Sequence, residues 1–177
     1  VVAEERKPEE KGLVSASQQL LELMSTQIHP TAYIEDGAAL GDGVVVGPFC
    51  HIGPHARIGA NSVLMTHSVV TGHTELGEGC VLHPHAVLGG VPQVIGFEST
   101  PDSRLVVGEN CVFREYATAH SGMPKFGGLT VIGNNCFVMI GAHIARVSGQ
   151  TTSGSASTAS TLIGVRYWAI GLNCECQ

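Results

Sequence analysis

The chain has 177 residues, of which 44% are hydrophobic and 14% charged, a balance typical of one soluble globular domain. A formal net charge of −6 excludes the basic surface expected of a general nucleic-acid binder. No apolar run approaches the roughly 18 residues that span a bilayer, and the charged residues 1–12 (VVAEERKPEEKG) do not resemble a secretory signal, so a cytoplasmic protein is expected.

The first predicted element is a charged leader, residues 1–27, in which residues 13–26 (LVSASQQLLELMST) predict one short helix. After it, an aliphatic residue stands at every sixth position: Ile28, Ile34, Leu40, Val46, Ile52, Ile58, Leu64, Val70, Leu76, Leu82 and Leu88. A period of six fits neither the helical period of 3.6 nor the strand period of 2. It fits a short strand followed by a fixed corner, with three strands to a triangular coil. The sequence therefore predicts an all-β fold, a parallel β-helix of hexapeptide repeats.

Two further positions of each hexapeptide support this prediction. The fourth residue after the aliphatic one is small or short, and is expected to point inward with it. Four of the six cysteines occupy this site and are interpreted as core residues: Cys50, Cys80, Cys111 and Cys136. The third residue after the aliphatic one is of a type that tolerates positive φ and predicts a corner: Gly37, Gly43, His55, Asn61, His67, His73, Gly79 and His85. The corner histidines therefore have a turn-forming interpretation beside any chemical one.

The repeat is expected to run over residues 28–145, with two interruptions. Residues 90–106 (GVPQVIGFESTPDSRLV) precede its return at Val107, and residues 120–131 (HSGMPKFGGLTV) precede its return at Ile132. A solenoid accommodates insertions as surface loops, and such loops often carry binding residues. Substrate contacts are therefore expected first in these two loops.

The repeat does not continue beyond Ala145. The next in-phase inward positions after Ile144 are Gln150 and Ala156, and residues 148–161 contain only Ser, Gly, Gln, Thr and Ala. This composition is typical of a flexible polar segment. Residues 146–177 are therefore predicted to form an irregular tail.

A metal site is the first chemical alternative, because the chain has nine histidines. Carbonic anhydrases of the gamma class resemble this architecture and bind zinc with one distant His followed by a pair five residues apart. His83 and His120 could begin such a set, but the position five after His120 is Lys125. No metal is therefore expected. His120 and His143, which adjoin the later coils and the second loop, remain the better candidates for chemistry.

Several segments of residues 28–145 are more characteristic of one protein family than the hexapeptide repeat itself is. They are IHPTAYIEDGAALGDGVVVGPFCHIGPHARIG, VVTGHTELG, FREYATAHSG, GGLTVIGNN and GAHIA. Together they resemble the acyl-[acyl-carrier-protein]–UDP-N-acetylglucosamine O-acyltransferases of lipid A biosynthesis. The resemblance implies a left-handed β-helix that assembles as a homotrimer. It also implies transfer of a 3-hydroxyacyl group from acyl carrier protein to the 3-hydroxyl of UDP-N-acetylglucosamine, with no cofactor.

The resemblance also indicates site residues. The family motif His-Ile-Ala-His-Asp-Cys, whose second His is the general base, aligns with His143-Ile-Ala-Arg146, so Arg146 stands at the position of the base. A guanidinium stays protonated and cannot accept a proton at neutral pH, so no catalytic base is intact. Gln93 is kept from the family's substrate loop, and His120 matches the His of its Thr-Ile-His-Arg-Gly word. His143, His120 and Gln93 are therefore the expected substrate-binding residues.

Two hypotheses follow from this departure. In the first, the chain is an acyltransferase truncated or altered after residue 145, for example by a change of reading frame just after Ala145. In the second, it is a non-catalytic homologue that acts as a trimerising or binding scaffold, with a divergent tail. Arg146 and the tail favour the scaffold, whereas the length of the resemblance favours the acyltransferase.

Overall fold

The computed structural model describes residues 25–95, 97 and 100–145. The predicted leader helix, apart from its last two residues, and the predicted tail lie outside these residues. Before the first loop the strands are β1 (Gln27–Ile28), β2 (Tyr33–Ile34), β3 (Ala39–Leu40), β4 (Val45–Val46), β5 (His51–Ile52), β6 (Arg57–Ile58), β7 (Val63–Leu64), β8 (Val69–Val70), β9 (His73–Leu76), β10 (Val81–Leu82) and β11 (Val87–Gly90). After it they are β12 (Arg104–Val107), β13 (Val112–Phe113), β14 (Thr118–His120), β15 (Leu129–Ile132), β16 (Phe137–Val138) and β17 (His143–Ile144), with a 3-10 helix at Pro124–Phe126.

Every third strand belongs to the same sheet. One sheet contains β1, β4, β7, β10, β13 and β16, the second contains β2, β5, β8, β11, β14 and β17, and the third contains β3, β6, β9, β12 and β15. Neighbouring strands are parallel, and Val45 pairs with Val63, eighteen residues later. Three hexapeptides therefore make one coil, and the predicted parallel β-helix is confirmed. No helix in the described ranges is both long and apolar enough to cross a membrane.

The core lies inside the three sheets and follows the repeat. Ile52, Leu64 and Leu82 are fully buried aliphatic residues from successive coils, and Phe113 is the largest fully buried side chain. The four cysteines predicted to be core residues are all buried. Coils bury this face only by stacking, so each one depends on its neighbours for stability.

The small inward side chains also join neighbouring coils by hydrogen bonds. The Ser62 hydroxyl donates to the Gly77 carbonyl at 3.1 Å and accepts from the backbone N–H of Cys80 at 3.2 Å. The Cys80 thiol in turn donates to the Gly108 carbonyl at 3.2 Å. This inward position therefore supplies polar partners to buried backbone groups, a role that a purely apolar side chain could not fill.

The corners largely follow the predicted pattern. Asn61, His67 and His85 have φ values of 57°, 59° and 64°, and side chains of this kind are enriched in that region. The prediction is wrong for His73: in that coil Gly72 adopts φ 60°, and His73 begins β9 instead. At His55 the chain turns as predicted, although the φ of His55 is not positive. The early start of β9 extends the third sheet toward the loops.

One edge of the β-helix carries a column of stacked rings. Phe49, His67, His85 and Tyr116 follow one another along it, with ring centroids separated by 5.0, 5.0 and 4.9 Å and interplanar angles of 12°, 4° and 4°. Phe49 and Tyr116 adopt φ 56° and 60°, which bulky side chains rarely do. Stacking on the neighbouring rings offsets part of that backbone cost.

Both loops return the chain to the same stack of coils. The first lies between Gly90 and Arg104, and the second lies between His120 and Leu129. After the first loop, Arg104 pairs with His73 and its strand runs beside β9 for four residues. The loops therefore project from the surface while the coils beneath them stack without a gap.

Candidate functional site

The site begins where the first loop leaves the second sheet. The pairing of β11 with β14 is interrupted by a bulge between Leu88 and Gly90, after which Gly90 pairs with His120. Gly89 adopts φ 81°, and a Cβ at this position would collide with the Thr71 carbonyl oxygen and the Thr74 hydroxyl. Only glycine fits this backbone without displacing its neighbours.

His120 is held by the first residue of the loop. Its Nδ1 lies 2.6 Å from the carbonyl oxygen of Val91. A carbonyl oxygen only accepts, so Nδ1 carries the proton and donates it. In the neutral imidazole, Nε2 then has an open lone pair. The adjacent backbone is fixed as well, because the N–H of Ser121 donates to the Gly90 carbonyl at 2.9 Å.

His143 lies beside His120 on the next coil. β17 pairs with β14 so that His143 is opposite Thr118, and its Nδ1 is hydrogen-bonded to the Thr118 hydroxyl at 2.8 Å. The rings of His120 and His143 meet edge to face, with centroids 4.9 Å apart and an interplanar angle of 68°. Burial, and to a lesser degree the nearby His120, lower the pKa of His143. The structure thus brings these two predicted residues into direct contact.

The other predicted residues are placed differently. Gln93 is exposed on the first loop, two residues after the Val91 carbonyl that holds His120. Arg146 lies outside the described residues, three positions after His143. Among the residues that the structure describes, no three metal-binding side chains are grouped so that they could hold a metal ion.

Sequence reasoning missed two groups of this site, the Val91 carbonyl and the Thr118 hydroxyl. Thr118 had a detectable signal, because it stands two residues before His120 on the same strand and so points to the same outward face. The Val91 carbonyl had none, because its direction depends on the bulge at Gly89. A second feature also appeared only in the structure: an open, largely polar groove beside the loop bases, lined by Pro101, Asp102, Arg104, Pro124, Gly127, Gly128 and Leu129.

Comparisons with known proteins agree with this fold. Residues 55–90 match the family model described as bacterial transferase hexapeptide (six repeats). The chain is 48% identical over 123 residues to an acyl-[acyl-carrier-protein]–UDP-N-acetylglucosamine O-acyltransferase of Bartonella bacilliformis, a match that covers 70% of this chain and 44% of the relative. It is 46% identical over 121 residues to the enzyme of that name from Sinorhizobium fredii, covering 68% and 44%.

Solved structures give the same result. A UDP-N-acetylglucosamine acyltransferase from Campylobacter jejuni superposes with a TM-score of 0.63 at 38% identity, covering 68% of this chain and 46% of that one. The corresponding protein of Francisella novicida gives a TM-score of 0.65 at 32% identity, with coverage of 68% and 44%.

The three parallel sheets, the hexapeptide period and these neighbours define a left-handed parallel β-helix of the hexapeptide-transferase class. The handedness implied by the sequence resemblance is thereby confirmed. Within this class, the chain is a homologue of the acyl-[acyl-carrier-protein]–UDP-N-acetylglucosamine O-acyltransferases. The chain spans 44% of the length of each of these two relatives.

Proposed function

We propose that the protein transfers a 3-hydroxyacyl group from acyl carrier protein to the 3-hydroxyl of UDP-N-acetylglucosamine, in the cytoplasm, as the first step of lipid A biosynthesis. The observation that carries this proposal is the contact between His120 and His143, with ring centroids 4.9 Å apart, where the first loop joins the β-helix. The names of the relatives supply the two substrates.

The chemistry of this transfer fits a pair of imidazoles. A sugar hydroxyl is a weak nucleophile at neutral pH and needs a positioned base when it attacks a thioester. Histidine is the side chain whose ordinary pKa suits that task. His120 and His143 lie on an outward face of the second sheet, next to the loop that carries Gln93. Substrate would therefore bind on this face, with Gln93 above it.

We propose that three copies of the chain assemble, with the substrate site between subunits. Supporting this, the outward positions of the first sheet form a column of apolar side chains along five successive coils: Val45, Val63, Val81, Val112 and Phe137. An outward apolar column on a stable sheet is a surface that a neighbouring subunit can cover. His143 on the adjacent sheet would then face such a neighbour.

A scaffold without catalysis is the second candidate, and Arg146 is the observation that favours it. A guanidinium at the position of the family base cannot accept a proton. In this alternative the β-helix would still form trimers and could still bind the sugar nucleotide, but no acyl transfer would follow.

The test is an acyl-transfer assay on the purified chain and on Arg146→His. Each protein is incubated with 3-hydroxyacyl-loaded acyl carrier protein and radiolabelled UDP-N-acetylglucosamine, and the acylated sugar nucleotide is measured. Sedimentation gives the oligomeric state of both proteins. Product from either protein supports the acyltransferase. A folded trimer of each that forms no product contradicts it and supports the scaffold.

A further inference from the structure

The hydrogen bond between His120 and Val91 determines which nitrogen of His120 can do chemistry. At 2.6 Å the bond is short, and the carbonyl is an acceptor only, so the proton of the neutral ring is on Nδ1. Nε2 is left as the basic atom. A backbone carbonyl on the far nitrogen orients the ring and selects its tautomer, as the carboxylate of a hydrolytic triad does.

The loop bulge makes this arrangement rigid. Gly90 pairs directly with His120, and the Cβ that a residue at Gly90 would carry comes within 3.1 Å of the imidazole ring. The hydroxyl of Ser121 donates to the Gly89 carbonyl at 3.3 Å. His120 is therefore confined between the loop backbone on one side and the ring of His143 on the other.

Its neighbour is a weaker candidate for a base. The Nδ1 atom of His143 is bonded to the Thr118 hydroxyl, which can donate or accept, so this bond does not select a tautomer. Burial and His120 together lower the pKa of His143, which reduces its power to take a proton. Arg146 at the family position is no base at all.

We propose that His120, through Nε2, is the general base of this chain, replacing the histidine that the family has at position 146. The inference rests on the acyl transfer proposed above. Nε2 takes the proton of the sugar 3-hydroxyl while that oxygen bonds to the thioester carbonyl carbon. The tetrahedral intermediate then collapses, the carbon–sulfur bond breaks, and the imidazolium returns the proton from Nε2 to the departing thiolate. The products are the ester and the free thiol, with no other reactant.

The test compares His120→Gln with His143→Gln in the full 177-residue chain. Glutamine is polar and close to histidine in size, but its amide cannot take up a proton at neutral pH. We expect kcat for His120→Gln to fall by about 10²–10⁴-fold, a larger factor than the accompanying change in the Kd for UDP-N-acetylglucosamine. His143→Gln is expected to lose less than about tenfold in kcat. His29→Gln, on the first described coil, serves as the control for a histidine outside the site.

Several results would overturn the inference. One is a kcat for His120→Gln within about threefold of the parent; another is a larger loss in His143→Gln. A third is a ¹⁵N spectrum of histidine-labelled protein near neutral pH in which His120 carries its proton on Nε2. If the parent is inactive and Arg146→His is active, the His120 inference fails while the acyltransferase proposal stands. If both are inactive, the acyltransferase proposal itself fails.

Discussion

Replacing Gly89 with alanine tests the bulge that connects the first loop to the β-helix. Gly89 has φ 81°, and the new Cβ would collide with the Thr71 carbonyl oxygen and the Thr74 hydroxyl. That hydroxyl is buried and donates to the same carbonyl at 2.6 Å. The substitution therefore strains the backbone at residue 89, overpacks the interior beside it and disrupts the buried hydrogen bond between Thr74 and Thr71.

The magnitude follows from these three costs. A non-glycine residue in the left-handed region costs roughly 1–2 kcal/mol, overpacking a filled interior adds about 1–3 kcal/mol, and losing the hydrogen bond adds about 0.5–1.5 kcal/mol. The free energy of unfolding is expected to fall by about 2.5–6.5 kcal/mol. Gly127→Ala is the matched control, because Gly127 has φ 92° but nothing within 4 Å of an added Cβ. Its expected loss is about 1–2 kcal/mol.

The assay is urea unfolding of both variants and the parent, followed by circular dichroism. If the two alanine variants lose the same free energy within about 0.5 kcal/mol, the contacts at Gly89 have no energetic effect and the reasoning is wrong. A change in the slope of the free energy of unfolding against urea concentration, rather than in the unfolding midpoint, would indicate a change in the compactness of the folded or the unfolded state.

Two further substitutions address the interior and the site. Ser62→Ala leaves the buried N–H of Cys80 without its partner and is expected to lower the free energy of unfolding by about 1–3 kcal/mol, measured in urea. Ser62→Cys is expected to cost less, because cysteine occupies the equivalent inward position in the next coils. Equal losses in the two variants would contradict the role of Ser62 as a hydrogen-bond partner. Because folding lowers the pKa of His143, the unfolded state binds more protons as the pH falls below about 6.5, so His143 reduces stability on the acid side. His143→Asn is therefore expected to lose less stability between pH 7.5 and 5.5 than the parent, measured by thermal unfolding, and an equal or larger loss would refute the assigned shift.

The fold could be predicted from the sequence because the same arrangement of buried side chains recurs in every coil. Ile52 and Leu82 are buried for the same reason, and no contact distant in sequence has to be known in advance. The corner at His73 could not be predicted in this way. There the strand β9 begins early and continues beside β12 for four residues, so sheet pairing overrides the local preference.

Only part of the candidate site could be predicted from the sequence. His120 and His143 stood out by position and by resemblance, and the structure places their rings in contact. The partner of His120 was hidden, since Leu88-Gly89 resembles every other aliphatic-glycine pair of the repeat. Only the departure of the loop at that point turns the Val91 carbonyl toward the imidazole.

The stacking of the coils makes the distance between the two strands of the site independent of the length of the loop that joins them. Thr118 pairs with His143, twenty-five residues later, whereas coils without an insertion repeat every eighteen. The additional residues form the second loop, between His120 and Leu129, outside the stacked coils. The distance between the two paired strands therefore stays at about 4.8 Å whatever the number of loop residues. The length of the second loop can therefore change without altering the step of one coil between Thr118 and His143, and this step brings the His143 ring against His120.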